Sequence, residues 1–264
     1  MYISELRNYY LVKCFAKEEY MNSFNNGKLY INSSKYFHDL DNEFQGDFEG
    51  GVFYKKSGAK LIPTRADATI EDVIAAYKGE SDASAFAKPV EDLKLYVSGF
   101  IICFFIVSKD AMRVTSEGIE FNSDYNAAQE LSDFLGSYSQ ISGFASITVY
   151  DAMPLMNRLW TILQNQGFDA SADRVVYEDL SLLDRTRLFQ NHEFEKLVFT
   201  KDKRFAYQKE FRVFLQRKNL SGQNHIEVEV GDLHPTIVCT ASFELEKTKQ
   251  GHELRLIPSR WCLG

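Results

Sequence analysis

The run Tyr96–Val107 (Tyr-Val-Ser-Gly-Phe-Ile-Ile-Cys-Phe-Phe-Ile-Val) constrains the fold more than any other part of the chain. It is continuous, β-branched and aromatic, without the polar alternation of a half-exposed strand. A strand of this kind is predicted to be buried on both faces, which a chain achieves only by covering both sides of a sheet.

Other segments are read around it. Tyr9–Phe15 reads as a buried strand, Glu18–Asn26 as a short helix stopped by Gly27, and Leu29–Asn32 as a second strand. Ser33–Gly51 reads as a long loop, and Val52–Tyr54 as the start of a hairpin. Ile70–Tyr77 has helical periodicity, and residues 79–90 read as a surface loop. Asn126–Leu135 and Pro154–Gln164 are predicted helices. Ala145–Tyr150, Arg174–Tyr177, Leu197–Thr200, Phe211–Gln216, His225–Val230, Ile237–Leu245 and Glu253–Ile257 are predicted strands. Strands outnumber helices and come in clusters. The expectation is an α+β fold, one domain over 1–264, with a mixed, largely antiparallel β core and several short helices.

Composition narrows the function classes. With 37 acidic against 30 basic side chains the net charge is −7, which argues against a general nucleic-acid coat. Cys14, Cys103, Cys239 and Cys262 are scattered and form no CxxC pair, as expected of a reduced, cytoplasmic chain. The first residues show no apolar signal region. The longest apolar run, Phe100–Val107, is far short of the ~20 residues a membrane helix needs. There is no Walker A loop, GxGxxG, HExxH or GxSxG, and no two of the five histidines share a helix-turn spacing, so no metal site is expected.

Two constellations stand out. Gln208-x-Glu210 precedes an alternating strand, where an extended backbone would set an amide and a carboxylate side by side. The bland reading is a solvated turn with Glu210 pairing Arg212. A charged Arg212 on an otherwise apolar strand needs a partner, and Glu210 or Asp47 could supply it. The second constellation runs from Leu29 to Gly50. It sets Ser33, Ser34, Asp47 and Glu49 among Tyr36, Phe37 and other rings, as in a pocket that stacks a planar ligand. Its bland reading is an aromatic-anchored surface loop.

Taken in order, Asn26-Gly-Lys-Leu-Tyr-Ile31, Tyr36-Phe37, Gly46-Asp-Phe-Glu-Gly50, Ile102-Cys-Phe-Phe105, Val175-Val-Tyr177, Phe199-Thr-Lys201 and Tyr207-Gln-Lys-Glu-Phe-Arg212 resemble a bacterial and phage family known only as a domain of unknown function. A looser similarity is to ADP-ribosyltransferases, which carry a basic residue or His on a first strand, a Ser-Thr-Ser-like step on a second and a (Gln/Glu)-x-Glu motif on a later one. Lys13, Ser33-Ser34 and Gln208-x-Glu210 fall in that order. Lys13 stands where Arg or His is usual, and Asn-Ser-Ser where Ser-Thr-Ser is usual.

That second similarity implies an enzyme using NAD as co-substrate, a toxin or phage-defence effector, acting on a protein or nucleic-acid acceptor. Cleaving the nicotinamide–ribose bond passes through an oxocarbenium-like state, as in glycoside hydrolysis. Glu210 would hold the ribose 2′-OH and stabilise the developing charge. Gln208 would orient the acceptor. Ser33 and Ser34 would support the ribose, and Tyr36 or Phe37 would stack nicotinamide. Lys13 and Arg212 belong with the cofactor-binding set, Arg212 by steadying Glu210. Asp47, Glu49 and Tyr207 are further pocket candidates. The alternatives are a non-catalytic nucleotide- or protein-binding module, in which Glu210 and Arg212 are a structural ion pair, and a metal-dependent nuclease using Asp47, Glu49 and Glu210.

Overall fold

The computed structural model describes residues 3–39, 95–115, 118–142, 146–179, 191–220, 222–248 and 251–258, with 52–54, 62–63, 86–87, 184 and 187–188 between them. Nine strands carry the architecture: β1 (Tyr9–Phe15), β2 (Lys28–Asn32), β3 (Phe100–Ser108), β4 (Ser146–Asp151), β5 (Asp169–Arg174), β6 (Glu210–Gln216), β7 (His225–Glu229), β8 (Ile237–Thr248) and β9 (Gly251–Pro258). The helices are α1 (Glu18–Asn25), α2 (Ser34–Asp39), α3 (Ala127–Ser142), α4 (Ala152–Asn165) and α5 (Phe194–Val198).

Seven strands form one sheet in the order β5–β6–β3–β1–β4–β8–β9, each neighbour antiparallel to the next. Strands β2 and β7 form a separate antiparallel ribbon. A short parallel pair joins Val176–Tyr177 to Thr200–Lys201. The fold is therefore α+β and largely antiparallel, as the sequence predicts.

The side-chain period of two divides each central strand between two cores. Leu11, Ile102, Phe104, Ile106, Tyr150, Phe211 and Val213 face α1, α4 and the inner side of the ribbon. Val12, Phe105, Val107, Ile147 and Val149 face α3 on the other side. Ile101 and Phe214 pack with Leu197, Val198 and Phe199 in a third cluster on that same side. Strand β3 is thus buried on both faces.

The apolar run is not one strand, however. It breaks at Val97–Gly99, between a short pairing of Leu95–Tyr96 with Val52–Tyr54 and the start of β3. Ser34 docks at the break: its hydroxyl donates to Val97 O at 2.6 Å and its N–H to Gly99 O at 2.9 Å. A side chain on Gly99 would collide with the Phe214 ring, its Cβ 2.2 Å from Cε2.

Three further expectations are corrected. Ser34–Asp39, read as loop, is helix α2, opened by Ser33 Oγ accepting from Tyr36 N–H at 3.1 Å. Leu197–Val198, read as strand, ends helix α5, because Phe194, Leu197 and Val198 recur at the helical spacing that buries one stripe. Val52–Tyr54 pairs with the distant Leu95–Tyr96 and does not open a local hairpin. The helix expected at Ile70–Tyr77 and most of the loop at 79–90 lie outside the described residues.

Candidate functional site

The sheet opens in its middle. Strands β1 and β3 pair from Tyr9↔Ser108 to Val12↔Phe105 and then part. Beyond that point Lys13–Phe15 pair only with β4, and Ile101–Phe104 only with β6. A cleft of about 1170 Å³ occupies the gap. Both parted strands line it, together with β2, part of β7, Tyr36 and Phe37 of α2, and Lys201, Tyr207, Gln208, Glu210 and Arg212.

One wall of the cleft is a buried charge cluster. Glu210 opens β6 and is 7% exposed; Arg212 on the same strand is 2% exposed. Alternation puts both on the face of Phe105 and Ile101, at the seam between two apolar clusters. Arg212 Nε donates to Glu210 Oε1 at 2.5 Å, Nη2 to Oε2 at 3.2 Å, and Nη1 to Val198 O at 2.6 Å. Lys201, 3% exposed, lies with Nζ 3.5 Å from Glu210 Oε2 and donates to Gln208 Oε1 at 2.8 Å. Two buried cations thus flank one carboxylate.

Burial alone would raise the Glu210 pKa. The charges of Arg212 and Lys201 and the hydrogen bonds from Arg212 and the Cys103 thiol outweigh it, so the carboxyl is held down at about 2. Its own backbone N–H donates to the Tyr177 hydroxyl at 2.9 Å. Burial and the Glu210 charge push that phenol above its ordinary range.

Gln208 and Glu210 converge, but not by strand alternation. Gln208 ends a 3-10 turn over Lys203–Gln208, capped by Asp202 accepting from Arg204 N–H at 2.9 Å. Lys209 then takes the left-handed conformation with φ 39°, strained for a residue with a Cβ. Packing holds it there: its carbonyl accepts from Ile106 N–H at 2.9 Å, and its ammonium pairs with Glu130. Lys201 ties the two side chains together from outside the motif.

Lys13 stands on the opposite strand of the opening. Its Nζ donates across the gap to Cys103 O at 3.1 Å and lies 5.2, 5.3 and 5.9 Å from the ring centroids of Phe24, Phe104 and Phe15. Burial pulls its pKa down, opposed by Cys103, Cys14 and Glu210. Burial likewise pushes the Cys103 thiol up, so it is no activated nucleophile.

Lys13, Tyr36, Phe37, Tyr207, Gln208, Glu210 and Arg212 therefore share one cleft. Ser33 and Ser34 are not part of its lining. Their hydroxyls are used in capping α2 and in holding Val97, which corrects the expectation that they face a ribose. Asp47 and Glu49 lie outside the described residues. Sequence reasoning passed over Lys201, Tyr177 and Cys103 as site residues. Two signals were available: an excess of cations over carboxylates around Gln208-x-Glu210, and the place of all three residues in the ordered motifs Ile102–Phe105, Val175–Tyr177 and Phe199–Lys201.

Chemically, the wall offers a pre-ionised carboxylate that can face a developing positive charge without reorganising. Among the described residues no group of three or more His, Cys, Asp or Glu side chains could hold a metal ion, and no helix is long and apolar enough to cross a membrane. No protein-family model matches the chain, and neither does a curated protein or a solved structure.

Proposed function

We propose that the chain is an ADP-ribosyltransferase-like enzyme that takes NAD into the cleft between β1 and β3. The observation that carries this reading is Glu210, an ionised carboxylate at the wall of a ligand-sized cleft that Lys13 also lines from β1, on the far side of the opening from β3. Deep in the cleft Lys13, Lys201 and Arg212 outnumber Glu210, which suits an anionic, phosphate-bearing ligand. Tyr36 and Phe37 supply rings for a planar group.

In this reading the bond between ribose C1′ and the nicotinamide nitrogen breaks. Nicotinamide leaves neutral with the bonding electron pair, and positive charge spreads over C1′ and the ring oxygen. Glu210 stabilises that charge through the 2′-OH. Gln208, oriented by Lys201, presents the acceptor, whose attack on C1′ releases its proton to water.

A second reading has its own observation. Arg212 engages both oxygens of Glu210 and also Val198 O, as a purely structural pair would. The cleft would then bind a nucleotide without acting on it. Calorimetric NAD titration and a nicotinamide-release assay on wild type and Glu210→Gln separate the two. Release by wild type alone, with both proteins folded and binding NAD, supports the transferase. Binding without release supports the second reading. No binding by either overturns both.

A further inference from the structure

The ribbon of β2 and β7 carries the most distinctive exposed surface among the described residues. Its inner face, Leu29, Ile31, Ile226 and Val228, is buried in the core. Its outer face carries Lys28 and Tyr30 on one strand, directly opposite Glu229 and Glu227 on the other. Tyr30 is 59% exposed, and its ring stacks on His225 with centroids 4.4 Å apart. Tyr20 from α1 and Tyr36 from α2, 52% and 39% exposed, flank the same strand.

Single exposed aromatic rings need no explanation, but a concentration at one place does. Of the five large hydrophobic side chains exposed among the described residues, Tyr20, Tyr30 and Tyr36 all line the mouth of the central cleft, as do Glu227 and Glu229. A tyrosine face beside two carboxylates recognises a cation, and a planar guanidinium best of all. It stacks on the ring while its N–H groups fork onto a carboxylate. Polynucleotide is the wrong charge for the ribbon's outer face, where two carboxylates face one ammonium, on a chain of net charge −7; the Lys17 ammonium over the Tyr20 ring beside it is paired with Glu19 at 3.4 Å.

We infer that the outer face of the β2–β7 ribbon receives an arginine-bearing segment of a partner protein, laid across the mouth of the cleft. As the docking site of the acceptor it rests on the transferase reading; as a docking surface it stands without it.

The test is fluorescence anisotropy of the full chain with a labelled arginine–glycine repeat peptide, in the absence of NAD, so that failure of the transferase reading leaves the outcome unaffected. A citrulline counterpart of the peptide and a thymidine oligonucleotide serve as competitors. The arginine peptide is expected to bind and the citrulline peptide not. Tyr30→Ala and Glu227→Gln are each expected to weaken binding roughly fivefold, and Tyr125→Ala, exposed but outside the cleft lining, to leave it unchanged. Absence of binding, equal binding of the citrulline peptide, stronger binding of the oligonucleotide, or wild-type affinity in Tyr30→Ala would each overturn the inference.

Discussion

Arg212 spans both carboxylate oxygens of Glu210 from two residues further along the same strand, and the pair is buried between two apolar clusters at the wall of the cleft. A buried ion pair is a poor source of net stability, but breaking one is costly because it strands a charge. Arg212→Met would leave Glu210 with Lys201 as its remaining cation among the contacts shown, and is expected to cost about 3–5 kcal/mol. Adding Glu210→Gln should recover part of that loss. A double-mutant cycle by urea unfolding measures the coupling; strictly additive losses would show the two residues to be energetically independent.

The same cluster fixes an acid limit. The Glu210 carboxyl titrates at about 2 in the folded chain against an ordinary value of 4.5. A depressed carboxyl pKa contributes stability that is fully present above the unfolded value and is lost as pH falls through the folded one. Stability is therefore expected to drain away between about pH 4.5 and pH 2, by an amount on the order of a few kcal/mol. Unfolding free energies across that window should fall less steeply in Glu210→Gln. Parallel pH profiles in the two proteins would refute the assignment.

Lys201 should act on that limit from a distance. Lys201→Met removes a cation that lies 3.5 Å from Glu210 and 5.0 Å from the centroid of the Phe205 ring, while keeping a long unbranched side chain. The Glu210 titration is expected to move up in pH, and Gln208 to lose the ammonium that orients its amide. The acid unfolding midpoint reads the first effect. Nicotinamide release reads the second, as a loss in turnover at saturating NAD beyond any loss in NAD affinity. A midpoint that does not move would mean that Arg212 and the Cys103 thiol suffice to keep Glu210 ionised.

What the sequence discloses follows from how local each signal is. Helix α1 with its Gly27 stop, strand β2 and the alternation of His225–Glu229 are legible because burial there repeats at the period of one element, and β1 because its run is apolar and aromatic throughout most of its length. Asp169–Arg174 is not, since the face that Asp-Ala-Ser-Ala-Asp-Arg turns to the core offers only Ala170 and Ala172, too small an apolar signal to mark the edge strand that pairs with β6. Leu197–Val198 misleads because a short apolar run carries no period of its own. The site is legible in its carboxylate and in Arg212, where a charge on an apolar strand demands a partner. Lys201 is not, because its distance to Glu210 is set by a left-handed Lys209 and a two-residue parallel bridge. The roles expected of Ser33 and Ser34 went wrong for a related reason. A serine at a helix start satisfies the backbone first, and only the tertiary structure shows the break at Val97 that uses the other hydroxyl.

Two glycines of nearly equal φ test how the cleft wall is set. Gly27, at φ 80°, turns α1 into β2, and a Cβ there would lie 1.9 Å from Gly231 O. Gly167, at φ 79°, has nothing within 4 Å of that position. Gly167→Ala is expected to cost about 1–2 kcal/mol, the left-handed penalty alone. Gly27→Ala must also push two backbones apart and is expected to cost clearly more, above about 3 kcal/mol. Thermal unfolding of the two variants gives the comparison, and equal losses would mean that the turn yields without disturbing the ribbon.

Lys13 is where fold and function should come apart. Its ammonium is placed by Cys103 O and three rings, without a carboxylate partner among the contacts shown. A lysine whose folded pKa is lowered binds its proton less readily in the folded chain than in the unfolded one. It therefore opposes folding at neutral pH, and its penalty fades only as pH rises through the folded value toward the unfolded one. Lys13→Met keeps the stem and removes the charge, so it is expected to melt no lower than wild type. If the ammonium waits for an anionic group of the ligand, the same variant should lose at least about tenfold in NAD affinity, or about 1.4 kcal/mol. Lys13→Arg, which restores a cation at that place, should recover much of it. Calorimetry and thermal unfolding on the three proteins decide the point. A lower melting temperature with unchanged affinity would assign Lys13 to the core of the fold, and the anion would have to be held by Lys201 and Arg212 instead.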